Sequence, residues 1–217
     1  RALLPPSLPS LSGVSLAARW EPALAFGGDC YGAIRLTDTH LAISIADVCG
    51  KGLPAALLMS NLLASLRAFA TSQRSPREVV SSVNRALCRQ KDLRRFVTLF
   101  YALYDSTSHV LTYTNAGHNP PLVLRRDGSC DRLPVGGTVT GIFDEGTYEE
   151  GKVVLESGDR LVLFTDGITE ARAASGEEFD ETGLLRTLEQ CRHVDAQSMV
   201  DAVFNDVGAF AGARLQD

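Results

Sequence analysis

The pattern of apolar and polar positions divides the chain into strand-like and helix-like blocks. Leu16 to Trp20, Cys30 to Leu36 and Leu41 to Val48 read as strands. Pro54 to about Ser72 reads as a helix, with Pro54 in the first turn, where its missing N–H costs nothing. A second helix is predicted from Pro76 to about Gln90, because Ser75 followed by Glu78 makes a capping box. The middle of the chain is rich in β signals. Phe96 to Tyr104 and Val110 to Asn115 flank a polar turn at 105–108, and Leu122 to Arg126 and Cys130 to Leu133 flank Asp127-Gly128. Val153 to Glu156 and Arg160 to Thr165 flank Ser157-Gly158-Asp159 and read as a further hairpin. The tail returns to helix over Glu181 to Cys191 and Ala196 to Phe210. Hairpins dominate and the helices come in two blocks, so the expected class is α+β, with antiparallel sheets and helices packed outside them. No repeat, low-complexity tract or long linker interrupts the chain, and residues 1–217 read as one domain.

Composition narrows the function classes. With 217 residues, 45% hydrophobic and 22% charged, the chain has ample material for a core. A net charge of −5 argues against a dedicated nucleic-acid surface and is too small for a disordered chain. The longest apolar stretch, Leu53 to Ala70, is broken by Ser60, Asn61, Ser65 and Arg67. A membrane span needs about 20 predominantly apolar residues, so a buried helix is expected there and no membrane insertion. Prolines at 5, 6 and 9 break any apolar signal sequence, and a start on Arg1 rather than Met reads as a piece of a longer protein. The 5 cysteines are scattered and include no Cys-x-x-Cys pair, which points to a reducing, cytoplasmic setting. The 4 histidines show no metal-type spacing, so a bound metal would need oxygen ligands.

Two aspartates supply such oxygens. If Thr37-Asp38-Thr39 is a loop between antiparallel strands, partner numbers sum to 76 and Asp29 falls opposite Asp47. Directly opposed positions lie about 5 Å apart. Two carboxylates that close repel by about 3 kcal/mol at an effective dielectric near 20, so a shared proton, a basic neighbour or a cation must offset them. A register shifted by one or two residues would instead turn both acids to solvent. Gly27-Gly28 before Asp29, and Gly50 and Gly52 around Lys51, favour a site that backbone and ligand approach closely. A third acid, Asp166, ends the apolar run Leu161 to Thr165 and is followed by Gly167. It is placed to reach a site at the sheet end or to N-cap the segment Ile168 to Ala174.

These stretches resemble the RsbU and SpoIIE-like branch of the metal-dependent, 2C-type (PPM) serine/threonine protein phosphatases. The resemblance lies in Gly27-Gly28-Asp29, in Asp47-Val48-Cys49-Gly50-Lys51-Gly52 with Pro54-Ala55-Ala56, and in Phe96-Val97-Thr98-Leu99-Phe100-Tyr101. Leu3-Leu4-Pro5, Asn115 through Pro121 and Thr165 through Ala171 agree in the same order. It implies an αββα fold, a sandwich of two antiparallel sheets between helical layers. It also implies two Mn²⁺ or Mg²⁺ ions held by Asp29, Asp47 and Asp166, with the backbone carbonyl of Val48 as a further ligand. A fourth acid of the family opens an Asp-Asp-x-Thr segment, which places Asp217 as its first residue. The chain departs from the pattern at Cys30, Gly32 and Cys49, and His118 stands where some relatives carry an acid for a third metal.

The activity implied is hydrolysis of phosphoserine or phosphothreonine in a protein, by attack of a water activated between two ions. The implied substrate is a STAS-type anti-sigma-factor antagonist in a bacterial stress or developmental partner-switching pathway. An N-terminal sensor domain of the same chain is the implied regulator; the sequence leaves the oligomeric state open, a dimer included. Lys51 and Arg19 are candidate phosphate-binding cations. The rival readings are a weak or inactive phosphatase-fold interaction module, and a metal-dependent phosphodiesterase. Cys30 and Cys49 on neighbouring strands form either a redox pair or buried inert thiols, and His118 reads as a hydrogen-bonded loop residue.

Overall fold

The computed structural model describes residues 4–5, 7–21, 28–50, 52–71, 73–89 and 95–212. β1 (Cys30–Arg35) and β2 (His40–Val48) form a hairpin, and α1 (Leu53–Phe69) and α2 (Pro76–Cys88) follow. β3 (Val97–Asp105) and β4 (Val110–Ala116) form the next hairpin, and β5 (Leu122–Leu124) with β6 (Cys130–Arg132) a third. β7 (Gly136–Gly137), β8 (Gly151–Val154) and β9 (Arg160–Val162) lead to the one-turn α3 (Asp166–Thr169), then to α4 (Asp180–Gln190) and α5 (Ala196–Ala211). The cap forms where the sequence places it: Ser75 is the N-cap, and its backbone N–H donates to the Glu78 carboxylate at 2.9 Å.

The strands make two sheets, one ordered β1-β2-β3-β4-β7 with β8 also on β4, the other ordered β6-β5-β9. Period-two alternation sorts each long strand into two faces. In β2, Ala42, Ala46 and Val48 join a core with Leu58, Leu62 and Val83 of α1 and α2. Ile45 points the other way, into a core between the sheets with Phe100, Tyr113, Val123 and Leu133. The outer face of the small sheet buries Leu122 against Leu184, Leu188 and Val203 of α4 and α5. Three cores between four layers make the arrangement αββα. No helix among the described residues is long and apolar enough to cross a membrane.

The structure corrects three local expectations. The run Leu16 to Trp20 forms no strand. At its end Arg19 pairs with Glu21 and Asp201, and its guanidinium lies 4.5 Å from the centre of the Phe204 ring on α5. The two runs around Ser157-Gly158-Asp159 do not pair with each other, since β8 pairs with β4 and β9 with β5. The turn is therefore a crossover between sheets. Its chemistry explains why: the Asp159 carboxylate, 3% exposed, accepts from Arg125 at 2.7 Å and from the backbone N–H groups of Glu156 and Arg126. Arg125 also donates to the Val154 carbonyl at 2.7 Å, which ties the end of β8 to the other sheet. The third correction is that β4 and β7 run parallel, through a two-residue ladder.

Removing one partner of a buried ion pair leaves the other charge unmatched, which costs about 3 kcal/mol or more. Asp159→Ala is expected to lower stability by about that amount, measured by urea unfolding. A loss below about 1 kcal/mol would show that the crossover is held by other contacts.

Candidate functional site

The β1–β2 loop fixes the first two acids. The Thr37 hydroxyl accepts from the backbone N–H groups of Thr39 and His40, closing the turn. Cys30 then pairs with Ala46 and Arg35 with Leu41, the register whose partner numbers sum to 76. Asp29, one residue before β1, and Asp47, on the inner face of β2, stand at the same end of the sandwich. Asp166 arrives from the other sheet, just after β9. Carboxylate oxygens of Asp29, Asp47 and Asp166 all lie within 4.8 Å of one another. The expected alternative for Asp166 is not what forms: the N-cap position belongs to Thr165, and the helix ends at Thr169 rather than near Ala174.

Close packing of backbone makes the cluster possible. A Cβ on Gly28 would stand 2.5 Å from the Val48 carbonyl oxygen and 3.1 Å from Asp47 Oδ1, so only glycine fits there. The Val48 N–H donates to the Gly28 carbonyl at 3.3 Å. The Thr165 hydroxyl donates to Asp29 Oδ2 at 2.9 Å, linking the second sheet to the first.

Burial raises the pKa of Asp29, and the charges of Asp47 and Asp166 raise it further, against the Thr165 hydrogen bond. Asp47 is also raised, first by burial and then by Asp166. Burial and the crowding of three carboxyls therefore favour a proton retained within the Asp29–Asp47 pair, which relieves the repulsion. Three converging carboxylates, a glycine that clears space and a nearby carbonyl are the donor chemistry of a hard divalent cation. The three acids line a cleft of about 1540 Å³.

Neighbouring residues divide sharply in what they offer. Cys30 is buried in the helix-side core, and burial beside Asp29 and Asp47 pushes its thiol up to about 12, so it is an unreactive thiol. Arg19 is engaged by acids and by Phe204 on α5. Lys51 and Asp217 lie outside the described residues. Arg95, which the sequence did not single out, donates to the Cys49 carbonyl at 3.0 Å across Gly50. Gly50 has φ +102°, and a Cβ there would collide with the guanidinium.

His118 is buried and makes a 2.9 Å hydrogen bond through Nδ1 with the Thr98 hydroxyl. Burial pulls its pKa down to about 4, with the Phe164 backbone acting the other way. The ring is therefore neutral. Thr98 and Thr165 were missed as site residues. Their signal was positional, since Thr98 lies opposite Asp47 in the β2–β3 ladder and Thr165 directly precedes Asp166.

Comparison with known proteins bears on this geometry. The sequence pattern of the family described as Stage II sporulation protein E (SpoIIE) matches residues 37–217. Phosphoserine phosphatase RsbU of Bacillus subtilis (strain 168) is 32% identical over 218 residues, covering 100% of this chain. This chain spans 64% of that relative's length. The SiaA-PP2C domain of Pseudomonas aeruginosa superimposes with a TM-score of 0.81 at 20% identity, covering 91% of this chain and 80% of the other. The RsbU and RsbW domains of Rv1364c from Mycobacterium tuberculosis give 0.69 at 25% identity, covering 86% and 52%.

Proposed function

This chain belongs to the SpoIIE family, with a PP2C-type fold, and from that premise we propose that it is a metal-dependent phosphoserine/phosphothreonine protein phosphatase. One observation carries the reading: Asp29, Asp47 and Asp166, from two different sheets, bring carboxylate oxygens within 4.8 Å of one another. They would hold two Mn²⁺ or Mg²⁺ ions, with the Val48 carbonyl and Asp217 as further ligands. Bound there, such ions supply a lowered pKa for water and positive charge for the phosphoryl oxygens of the substrate.

The chain's own residues have separate tasks. Asp29, Asp47 and Asp166 would hold the ions as carboxylates, serving as ligands and not as proton carriers. Thr165 holds the orientation of Asp29 through its 2.9 Å hydrogen bond. Gly28 keeps the space between Asp47 and the Val48 carbonyl free of a side chain. A covalent route through Cys30 is disfavoured, because its thiol stays protonated and faces the helix-side core.

The substrate proposed is a phosphorylated STAS-domain anti-sigma-factor antagonist in a partner-switching pathway of the cytoplasm. Support comes from the RsbU relative, named a phosphoserine phosphatase, and from the structure that joins RsbU and RsbW domains. Residues 1–217 are read as one catalytic unit of a longer protein regulated by an N-terminal sensor, in keeping with the 64% of RsbU that the match spans.

The direct test measures phosphate released by the full-length protein from a serine-phosphorylated STAS protein, with Mn²⁺, with Mg²⁺ and with EDTA. Release that requires a divalent cation is expected, with no comparable cleavage of a phosphodiester. Release at the EDTA level under saturating Mn²⁺ would return the fold to a binding role, and preferential diester cleavage would reassign the substrate class.

A further inference from the structure

The three acids come from two sheets, and sheets packed face to face stand about 10 Å apart on average. Asp29 and Asp47 are set relative to each other by a β ladder, but among the described residues no ladder fixes Asp166 against them. Ligand sets for a metal work only when they are held to about 0.5 Å. Something at this end of the sandwich must set the spacing between the sheets.

The ring of His118 occupies that place. Its Nδ1 meets the hydroxyl of Thr98, which sits on β3 directly opposite Asp47. On the other side it lies near the backbone of Phe164, two residues before Asp166 and next to the Thr165 whose hydroxyl reaches Asp29. Nε2 is fully buried and makes no well-formed hydrogen bond. A buried polar atom left in that condition is costly, so the Thr98 hydrogen bond at Nδ1 has to hold the ring in place against that cost.

The base of the residue is clamped as well. Asn115, buried at the end of β4, accepts from the His118 N–H at 2.8 Å and donates to the His118 carbonyl at 3.0 Å. The same side-chain amide donates to the Leu133 carbonyl at 3.3 Å. Gly117 supplies the φ of +73° that the turn between them needs, and a Cβ there would meet Val139 at 2.6 Å. A ring held this firmly at its backbone and wedged between the sheets behaves as a strut.

We propose that His118 is a positioning residue, the strut between the two sheets that sets Asp166 against Asp29 and Asp47 and so determines how tightly the site holds a divalent cation. This rests on the reading of the three acids as metal ligands. A side chain that orients metal ligands from behind is worth about 10–100-fold in metal affinity.

Calorimetric Mn²⁺ binding is the readout, on the wild type, His118→Ala, Thr98→Val, the double variant and Asp47→Asn, with thermal unfolding in EDTA alongside. His118→Ala is expected to weaken Mn²⁺ binding by about 10-fold or more, and Thr98→Val by a few-fold. The double variant should bind no worse than His118→Ala, because both changes act along one path. The Mn²⁺ concentration for half-maximal phosphate release should rise in parallel.

A purely structural histidine gives a different pattern, a lower melting temperature in EDTA with Mn²⁺ affinity within about two-fold of wild type, and that result overturns the strut. If His118→Ala does not fold, the nearly isosteric Thr98→Val decides: an unchanged Mn²⁺ affinity overturns the proposal. A wild type that binds Mn²⁺ no better than Asp47→Asn overturns the metal reading itself, which separates the two failures.

Discussion

Asp47→Asn is expected to lower Mn²⁺-dependent phosphate release by about three orders of magnitude, equivalent to about 4 kcal/mol of activation barrier. Asparagine keeps the size of the side chain and leaves the backbone ladder in place, where position 47 pairs with Thr98. What it removes is one negative charge from a set of three, and with it the strongest attraction for a dication. Initial rates on a serine-phosphorylated protein, taken across a Mn²⁺ titration, measure the effect. Asp38→Asn is the matched control, since that carboxylate is 95% exposed in the β1–β2 loop and pairs only with exposed Arg35. Retention of more than about a tenth of wild-type activity by Asp47→Asn at saturating Mn²⁺ would remove Asp47 from the ligand set.

The same substitution is expected to make the metal-free protein more stable, and the sign follows from the direction of the shifts. Asp29 and Asp47 both have pKa values raised above the ordinary carboxylate value, primarily by burial. The unfolded chain therefore loses these protons at lower pH than the folded one. The stability associated with the protonated pair is complete below the unfolded pKa of 3.8 and is lost as pH rises towards about 7. Urea unfolding in EDTA should show wild type losing on the order of 2 kcal/mol across that window relative to Asp47→Asn.

Other groups do not obscure this comparison. Asp105, Asp127 and Asp195 have lowered pKa values, held down chiefly by hydrogen bonds from neighbouring Ser and Thr residues, so their contribution is gained below the window. His118, neutral in the fold, favours folding as pH rises from about 4 towards its ordinary 6.5, and it is common to both proteins. Mn²⁺ should restore the wild type at neutral pH, by about 2.7 kcal/mol at a hundred times its Kd, and leave Asp47→Asn largely unmoved. A wild type whose metal-free stability rises with pH in parallel with the variant would show that the two carboxylates are not forced together.

The positions of the first two acids were legible because strand physics is local. A three-residue polar loop favours this register, and the structure adopts it, since a one-residue slip would turn Ile45 out of the core. Capping chemistry was equally legible, with Ser75 and Glu78 placing the start of α2 to the residue. The turn at Ser157-Gly158-Asp159 was not. Its composition suits a hairpin as well as a crossover, and only Arg125, more than 30 residues away along the chain, decides by binding Asp159 and the Val154 carbonyl together. Leu16 to Trp20 carried a strand-like composition but has no ladder partner, so its backbone follows contacts such as Arg19 with α5.

By itself, then, the sequence determined the elements, their hydrophobic faces, the Asp29–Asp47 pairing and the oxygen-only character of any metal ligands. Each of these depends on spacing along a few neighbouring residues. Tertiary structure decided which sheet each strand joined, and that brought Asp166 and the Thr165 hydroxyl to Asp29 from 136 residues or more along the chain. It also gave His118, the hydrogen-bonded loop residue the sequence suggests, its place between Thr98 of one sheet and the Phe164 backbone leading out of the other. Packing of two surfaces carries no periodic trace in a single chain, so the third ligand and its support emerge only once the layers are stacked.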